Sequence, residues 1–238
     1  PKDGVDNFYP TPPAAFKEPQ LHLVLGVRGS GKSFLISKML NQAQKDDTYD
    51  KIYLISPSYN SNRAYWEDHI DPEQDVYEPT KDSINKVIKR VEADRDEWEE
   101  YLEDKKMYKK YEKMEKEGKP LHHVPDRDII GFYDRGFMTG AKPEWKYDNG
   151  EQPARSLLIL DDVIGSDAIK RSSGLNRIAT LNRHIAPLKE TWKGRSAAAL
   201  STIISSQTYR MDSGIGRVLR ENLSLLTMAR NKQEKQMQ

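Results

Sequence analysis

Eight residues constrain this chain more than any others: Gly26-Val27-Arg28-Gly29-Ser30-Gly31-Lys32-Ser33, a match to G-x-x-x-x-G-K-[ST]. The match lies between the apolar run Leu21-His22-Leu23-Val24-Leu25 and an amphipathic stretch from Phe34 to Leu40. It therefore reads as strand, loop and helix, the setting the motif requires. Glycines let a backbone turn so tightly that successive N–H groups converge on a phosphate, and the following helix adds the positive end of its dipole. In such a loop Lys32 reaches the β- and γ-phosphates, and the Ser33 hydroxyl is a ligand for Mg²⁺. The nucleotide-contacting set expected here is Gly26, Val27, Arg28, Gly29, Ser30, Gly31, Lys32, Ser33 and Phe34. Arg28 puts a large cation inside the loop, and the spacing assigns it no role.

The rest of the chain supplies the sheet this loop needs. Lys51-Ile52-Tyr53-Leu54-Ile55 is a second buried-strand pattern, stopped by Ser56-Pro57-Ser58, and is expected to lie parallel to the first. Further strands are expected at Ser156 to Leu160, Leu200 to Ser205 and Leu223 to Met228. Strands alternating with helical segments predict an α/β fold with a mainly parallel central sheet flanked by helices. From Asp82 to Glu117 the apolar residues Ile84, Val87, Ile88, Val91, Trp98, Tyr101, Leu102, Tyr108 and Tyr111 mark one face amid dense mixed charge. That pattern predicts one long helix, or two with a break, serving as a lid, a subunit contact or a peripheral helix laid on the domain. The expected organisation is a proline-rich extended arm over 1–20, one domain over 21–230 carrying 82–117 as a charged helical insertion, and a tail or linker over 231–238.

The second chemical feature is Leu157-Leu158-Ile159-Leu160-Asp161-Asp162, an apolar strand ending in two carboxylates. An aspartate at the tip of such a strand is suited to hold Mg²⁺, which assigns Asp161 to the metal beside Ser33. Asp162 is then placed to orient or deprotonate an attacking water; the alternative reading of the pair is a helix N-cap. Leu200-Ser201-Thr202-Ile203-Ile204-Ser205-Ser206-Gln207 ends in a neutral amide, and Gln207 suits a γ-phosphate sensor or a turn residue equally. Between these strands lie Arg177, Arg183, His184 and Arg195; an arginine supplied to a neighbouring subunit's γ-phosphate could stabilise charge there, the spacing does not choose among the three, and His184 has no carboxylate or second His at metal-ligand spacing.

Composition narrows the partners. The 238 residues include no Cys, which excludes disulfides, thiolate zinc sites and cysteine nucleophiles. No run approaches the length of a membrane span, and the first 20 residues lack a secretory layout, so a membrane partner and secretion are not expected. The formal charge is only +1, yet it is unevenly placed. From Ser166 onward there are 13 Lys and Arg against 5 Asp and Glu, net +8, which leaves −7 for residues 1–165. This asymmetry points to a polyanion on one side of the molecule, or to a solvated basic surface.

Taken together, GVRGSGKS, KIYLISPSYN, LLILDD, LNRHIAPLKE, STIISSQ and VLRENLSLL give a sequence that resembles the genome-packaging ATPases of large nucleocytoplasmic DNA viruses and their virophage relatives, within the HerA/FtsK superfamily. The similarity spans roughly residues 20–230. The resemblance implies a P-loop NTPase of the RecA-like (ASCE) type, with an additional strand between the Walker A and Walker B strands. It implies ATP as substrate, Mg²⁺, a homo-oligomeric ring and translocation of double-stranded DNA into a capsid, with capsid proteins as further partners. It also implies work in the host cytoplasm at the site of viral assembly, or in the virion. On this resemblance the catalytic residues are Lys32, Asp162, Gln207 and Arg183, the last as an arginine finger with Arg177 as second choice. Three competing readings remain, one of them a small-molecule kinase with 82–117 as lid, for which no acceptor site is visible in the sequence. Asp162-Val163-Ile164-Gly165 matches D-x-x-G and Asn231-Lys232-Gln233-Glu234 approaches N-K-x-D, as in a GTPase switch; and a DNA-binding ATP switch with little turnover would need the same loop.

Overall fold

A computed structural model describes residues 19–163, 165–169, 172–181, 184–198, 200–207 and 217–229. Its centre is a six-stranded sheet built from β1 (Leu21–Leu25), β2 (Lys51–Ile55), β3 (Val76–Tyr77), β4 (Ser156–Leu160), β7 (Leu200–Ser206) and β8 (Leu225–Met228). The spatial order is β3-β2-β4-β7-β1-β8, and every pairing is parallel. Parallel sheets are covered on both faces, and this one accordingly has central strands without polar–apolar alternation: β4 and β7 are buried at every position. Strands β1 and β2 are parallel, as expected, but not neighbours. Both β4 and β7 lie between them, and β7 is inserted between β1 and β4.

Helices cover the two faces. On one, α1 (Lys32–Lys45) sends Ile36 and Leu40 into a cluster with Val24, Leu54, Leu157 and Trp66. On the other, α2 (Ser83–Lys116) and α4 (Ser173–Leu181) bury Ile84, Val87, Ile88, Val91, Leu175 and Ile178 against Leu21, Tyr53 and Leu158. The result is a three-layer α/β architecture with a core on each side of the sheet.

The charged segment is one unbroken helix of 34 residues, about 50 Å long at 1.5 Å per residue. Its start is fixed by Ser83, whose hydroxyl donates to the Glu78 carbonyl at 2.5 Å while Thr80 N–H donates to that hydroxyl at 3.1 Å. The single apolar stripe covers three surfaces in succession. Its first turns lie on the sheet. Trp98 and Tyr101 then pack with Trp145 and Trp192, and Tyr108 and Tyr111 meet Phe132 of α3 (Asp126–Asp134) and Phe137. The stripe is packed along its own domain, the arrangement that the peripheral-helix alternative describes. Trp192 belongs to a hairpin not expected from the sequence, β5 (Pro187–Trp192) and β6 (Arg195–Ala197), paired antiparallel. Its turn residues Lys193 and Gly194 both have positive φ, the conformation a tight two-residue hairpin turn demands. The last described elements are α5 (Arg217–Glu221) and, after it, β8.

Candidate functional site: a phosphate loop beside paired carboxylates

The carboxyl ends of β1, β7 and β4 lie side by side, and the segments that leave them meet in one cleft of about 450 Å³. In parallel α/β sheets this is the edge where ligands bind, because loops and helix N-termini converge there. The cleft is lined by Arg28, Lys32, Ser33, Asp161, Asp162 and Gln207, among others. Residues as far apart in the sequence as Arg28 and Gln207 thus share one wall.

The loop from Gly26 to Gly31 is shaped by its glycines. A side chain at Gly26 would overlap Ser30 and Ala229, so only glycine lets the loop return so close to β1 and β8. Gly29 and Gly31 have φ of 74° and 84°, a region open to glycine at little cost. Gly31 is the N-cap of α1, without a side-chain cap, and no acidic residue stands in the first turn. The first backbone bond of the helix is Leu35 N–H to the Gly31 carbonyl at 2.8 Å. A helix leaves its leading N–H groups without intrahelical partners, so Lys32, Ser33 and Phe34 present donors at the positive end of the dipole. Lys32 folds across the loop, donating from Nζ to the carbonyls of Gly26 at 2.9 Å and Val27 at 3.2 Å. The Ser30 hydroxyl is buried and has no hydrogen-bond partner among the described residues.

The two carboxylates at the tip of β4 are treated differently by the fold. Asp161 is only 2% exposed. Its Oδ1 accepts from Ser205 Oγ at 2.6 Å, and Ser33 Oγ lies 3.3 Å from its Oδ2 and 3.4 Å from its Oδ1. Burial pushes its carboxyl above the ordinary range, and the hydroxyls of Ser205 and Ser33 offset part of that. Asp162, by contrast, is exposed and has φ of 53°, an uncommon backbone state for a residue other than glycine. Ser205 Oγ accepts from the Asp162 N–H at 3.0 Å, and Gln207 Nε2 donates to Asp162 Oδ1 at 3.1 Å. The register Leu160↔Ile204 explains the arrangement, since it sets the tips of β4 and β7 level with each other.

Every expected loop residue, together with Asp161, Asp162 and Gln207, is therefore gathered at one end of the sheet. Arg183 lies outside the described residues, as does the 231–234 segment. Arg177 is on α4, where its guanidinium pairs with Glu92 of α2 at 2.5 Å. Ser205 was not expected: a serine inside a strand gives no sequence signal, and its role appears only when the strand register is known. Ser58, Asn62 and Tyr65 also line the cleft, brought there by the turn that follows β2.

The donor set suits a hard divalent cation. Ser33 Oγ and the Asp161 carboxylate are oxygen donors of the type Mg²⁺ takes, and Mg²⁺ at phosphate sites uses one or two such groups together with phosphate oxygens and water. Among the described residues no cluster of three or more His, Cys, Asp or Glu forms a separate metal cage. No described helix is long and apolar enough to cross a membrane. Compared with protein-family models and with curated proteins, the sequence matches none.

Proposed function

We propose that this chain is an ATP-hydrolysing motor that moves double-stranded DNA, working as a ring of identical subunits that packages a genome into a viral capsid. The observation that carries the nucleotide part is the convergence just described. A glycine-shaped loop at an uncapped helix N-terminus faces Asp161, Asp162 and Gln207 across one cleft. The position of β7 between β1 and β4 supports a RecA-like P-loop assignment. The DNA, ring and capsid parts rest on the resemblance and on the basic C-terminal third, from which the hairpin turn presents Lys193 to solvent.

In this reading each side chain has a task. The loop N–H groups and Lys32 bind and orient the phosphates, with Lys32 exchanging its two carbonyl partners for phosphate oxygens. Ser33 and Asp161 would hold Mg²⁺, which would supply charge neutralisation at the phosphates. Asp162 accepts a proton from the attacking water, and Gln207 positions that water or the γ-phosphate without adding charge. Arg183 of a neighbouring subunit acts as the finger that stabilises charge in the transition state.

A second reading, an ATP switch with little turnover, is favoured by the Gln207–Asp162 hydrogen bond, which engages one oxygen of the carboxylate that would act as base. One experiment separates the two: steady-state ATP and GTP hydrolysis by the full chain, with and without double-stranded DNA, alongside Lys32→Ala. A motor gives ATP turnover that DNA stimulates and Lys32→Ala abolishes. Nucleotide binding without DNA-stimulated turnover favours the switch, and equal turnover by Lys32→Ala contradicts the site.

A further inference from the structure

Two aromatic side chains stand in the phosphate cleft where packing does not require them. Phe34, the third residue of α1, is 53% exposed, and Tyr65, from the turn after β2, is 37% exposed. Their rings meet edge to face, with centroids 6.4 Å apart and planes at 76°. Both line the same cleft as Lys32 and Ser33, and among its described lining residues they are the only aromatic side chains. The next residue, Trp66, shows what this turn does when it serves the core: it is fully buried in the cluster with Ile36 and Leu54. Tyr65 points the other way.

Exposed aromatic surface costs free energy in water, and a right-angled pair of rings makes a corner that accepts a flat, weakly polar group. A nucleoside triphosphate brings such a group. Its phosphates belong at the first turn of α1, and Phe34 follows Ser33 directly, so a base leaving the phosphate loop on this side meets the Phe34 ring within one residue. Lys38 Nζ lies 5.3 Å from the Phe34 ring centroid, which adds a cation beside the same ring.

Resting on the nucleotide reading above, we infer that Phe34 and Tyr65 form the base subsite: an aromatic corner in which the nucleobase stacks on one ring while the other closes its edge. Both are positioning residues. Stacking is tolerant of base identity because every base has a π-face, so the corner tightens ATP and GTP alike and does not by itself choose between them.

The test is calorimetric titration of the full chain with Mg²⁺–ADP and, separately, Mg²⁺–pyrophosphate, for wild type, Phe34→Ala, Tyr65→Ala and Phe34→Tyr. The expected result is ADP affinity weakened about tenfold or more in either alanine variant, retained in Phe34→Tyr, and pyrophosphate affinity unchanged throughout. Steady-state assays should then show KM raised with kcat largely kept. Equal ADP affinity in all four proteins overturns the corner. A parallel loss of ADP and pyrophosphate affinity also overturns it, since the rings would then be shaping the phosphate loop. If wild type binds neither ligand, the nucleotide reading itself fails, and the base subsite with it.

Discussion

The sheet has a cleft at each end, and the two handle buried charge in opposite ways. At the amino end a space of about 290 Å³ is bordered by Asp50, Lys51, His69 and Asp75. Each buried carboxylate there has its own cation. Asp50 accepts from the Arg155 guanidinium at 3.2 Å and from the Arg155 N–H at 2.7 Å. Asp75 pairs with Lys51 at 2.7 Å and with Arg90 at 3.3 Å. At the carboxyl end Asp161 is equally buried, yet its direct partners among the described residues are two hydroxyls. The nearby ammonium of Lys32 is turned to backbone carbonyls instead. A buried carboxylate with a bonded cation has its charge compensated within the fold. One held by hydroxyls, with a cation close by but not bonded to it, keeps its charge free for an incoming ligand. This contrast supports the proposal that the carboxyl end is the working end more sharply than cleft size does.

The comparison can be broken by exchanging the roles. Asp161→Asn should keep the hydroxyl contacts and the fold but lower ATP turnover about a thousandfold, an effect of the size seen when one preorganised charge-stabilising group is removed. Turnover within tenfold of wild type would place Asp161 with the structural carboxylates. For Asp162→Asn the expectation is retained nucleotide binding with turnover reduced about a hundredfold, the lower part of the range for a lost general base; a wild-type rate would make Asp162 a turn residue. Asp75→Asn should act in the opposite sense. It leaves Lys51 and Arg90 without their carboxylate and should cost about 2–3 kcal/mol in urea unfolding, with kcat of the folded protein unchanged.

His22 sharpens the same point without any link to the site. It is 2% exposed on β1, shares a 2.8 Å hydrogen bond with Thr227 Oγ1 of β8, and burial lowers its pKa to about 4. Because the unfolded chain binds a proton at His22 near pH 6.5 and the folded chain does not, stability is complete above pH 6.5. It falls as the pH drops towards 4, by about 1 kcal/mol per pH unit. His22→Gln should flatten that slope; an unchanged slope would assign the acid sensitivity to other groups.

Much of the working end was legible because its residues announce themselves in short range. The glycine loop, the apolar run before Asp161 and the strand ending at Gln207 each carry a local pattern, and the stripe from Ile84 to Tyr111 marked a long helix or two with a break, of which the structure has the single helix. What was not legible depends on contacts between distant segments. Ser205 matters because register sets it beside Asp161 and the Asp162 N–H. Tyr65 lines the cleft because the turn after β2 folds back towards α1. Strand β3 has only two residues, too few for any period to show, and the last strand begins at Leu225 instead of Leu223. The β5–β6 hairpin has mixed polarity because one side rests on Trp98 while Lys189 bonds Glu99 of α2.

The most direct test of the contrast between the two ends is amide hydrogen exchange of the full chain with and without Mg²⁺–ADP, read segment by segment. A working carboxyl end predicts new protection across residues 26–35, at 161–162 and around 205–207, with exchange at 43–52 and 69–75 unchanged. Protection confined to the amino-end segments, or the same exchange everywhere at saturating ligand, would contradict the account.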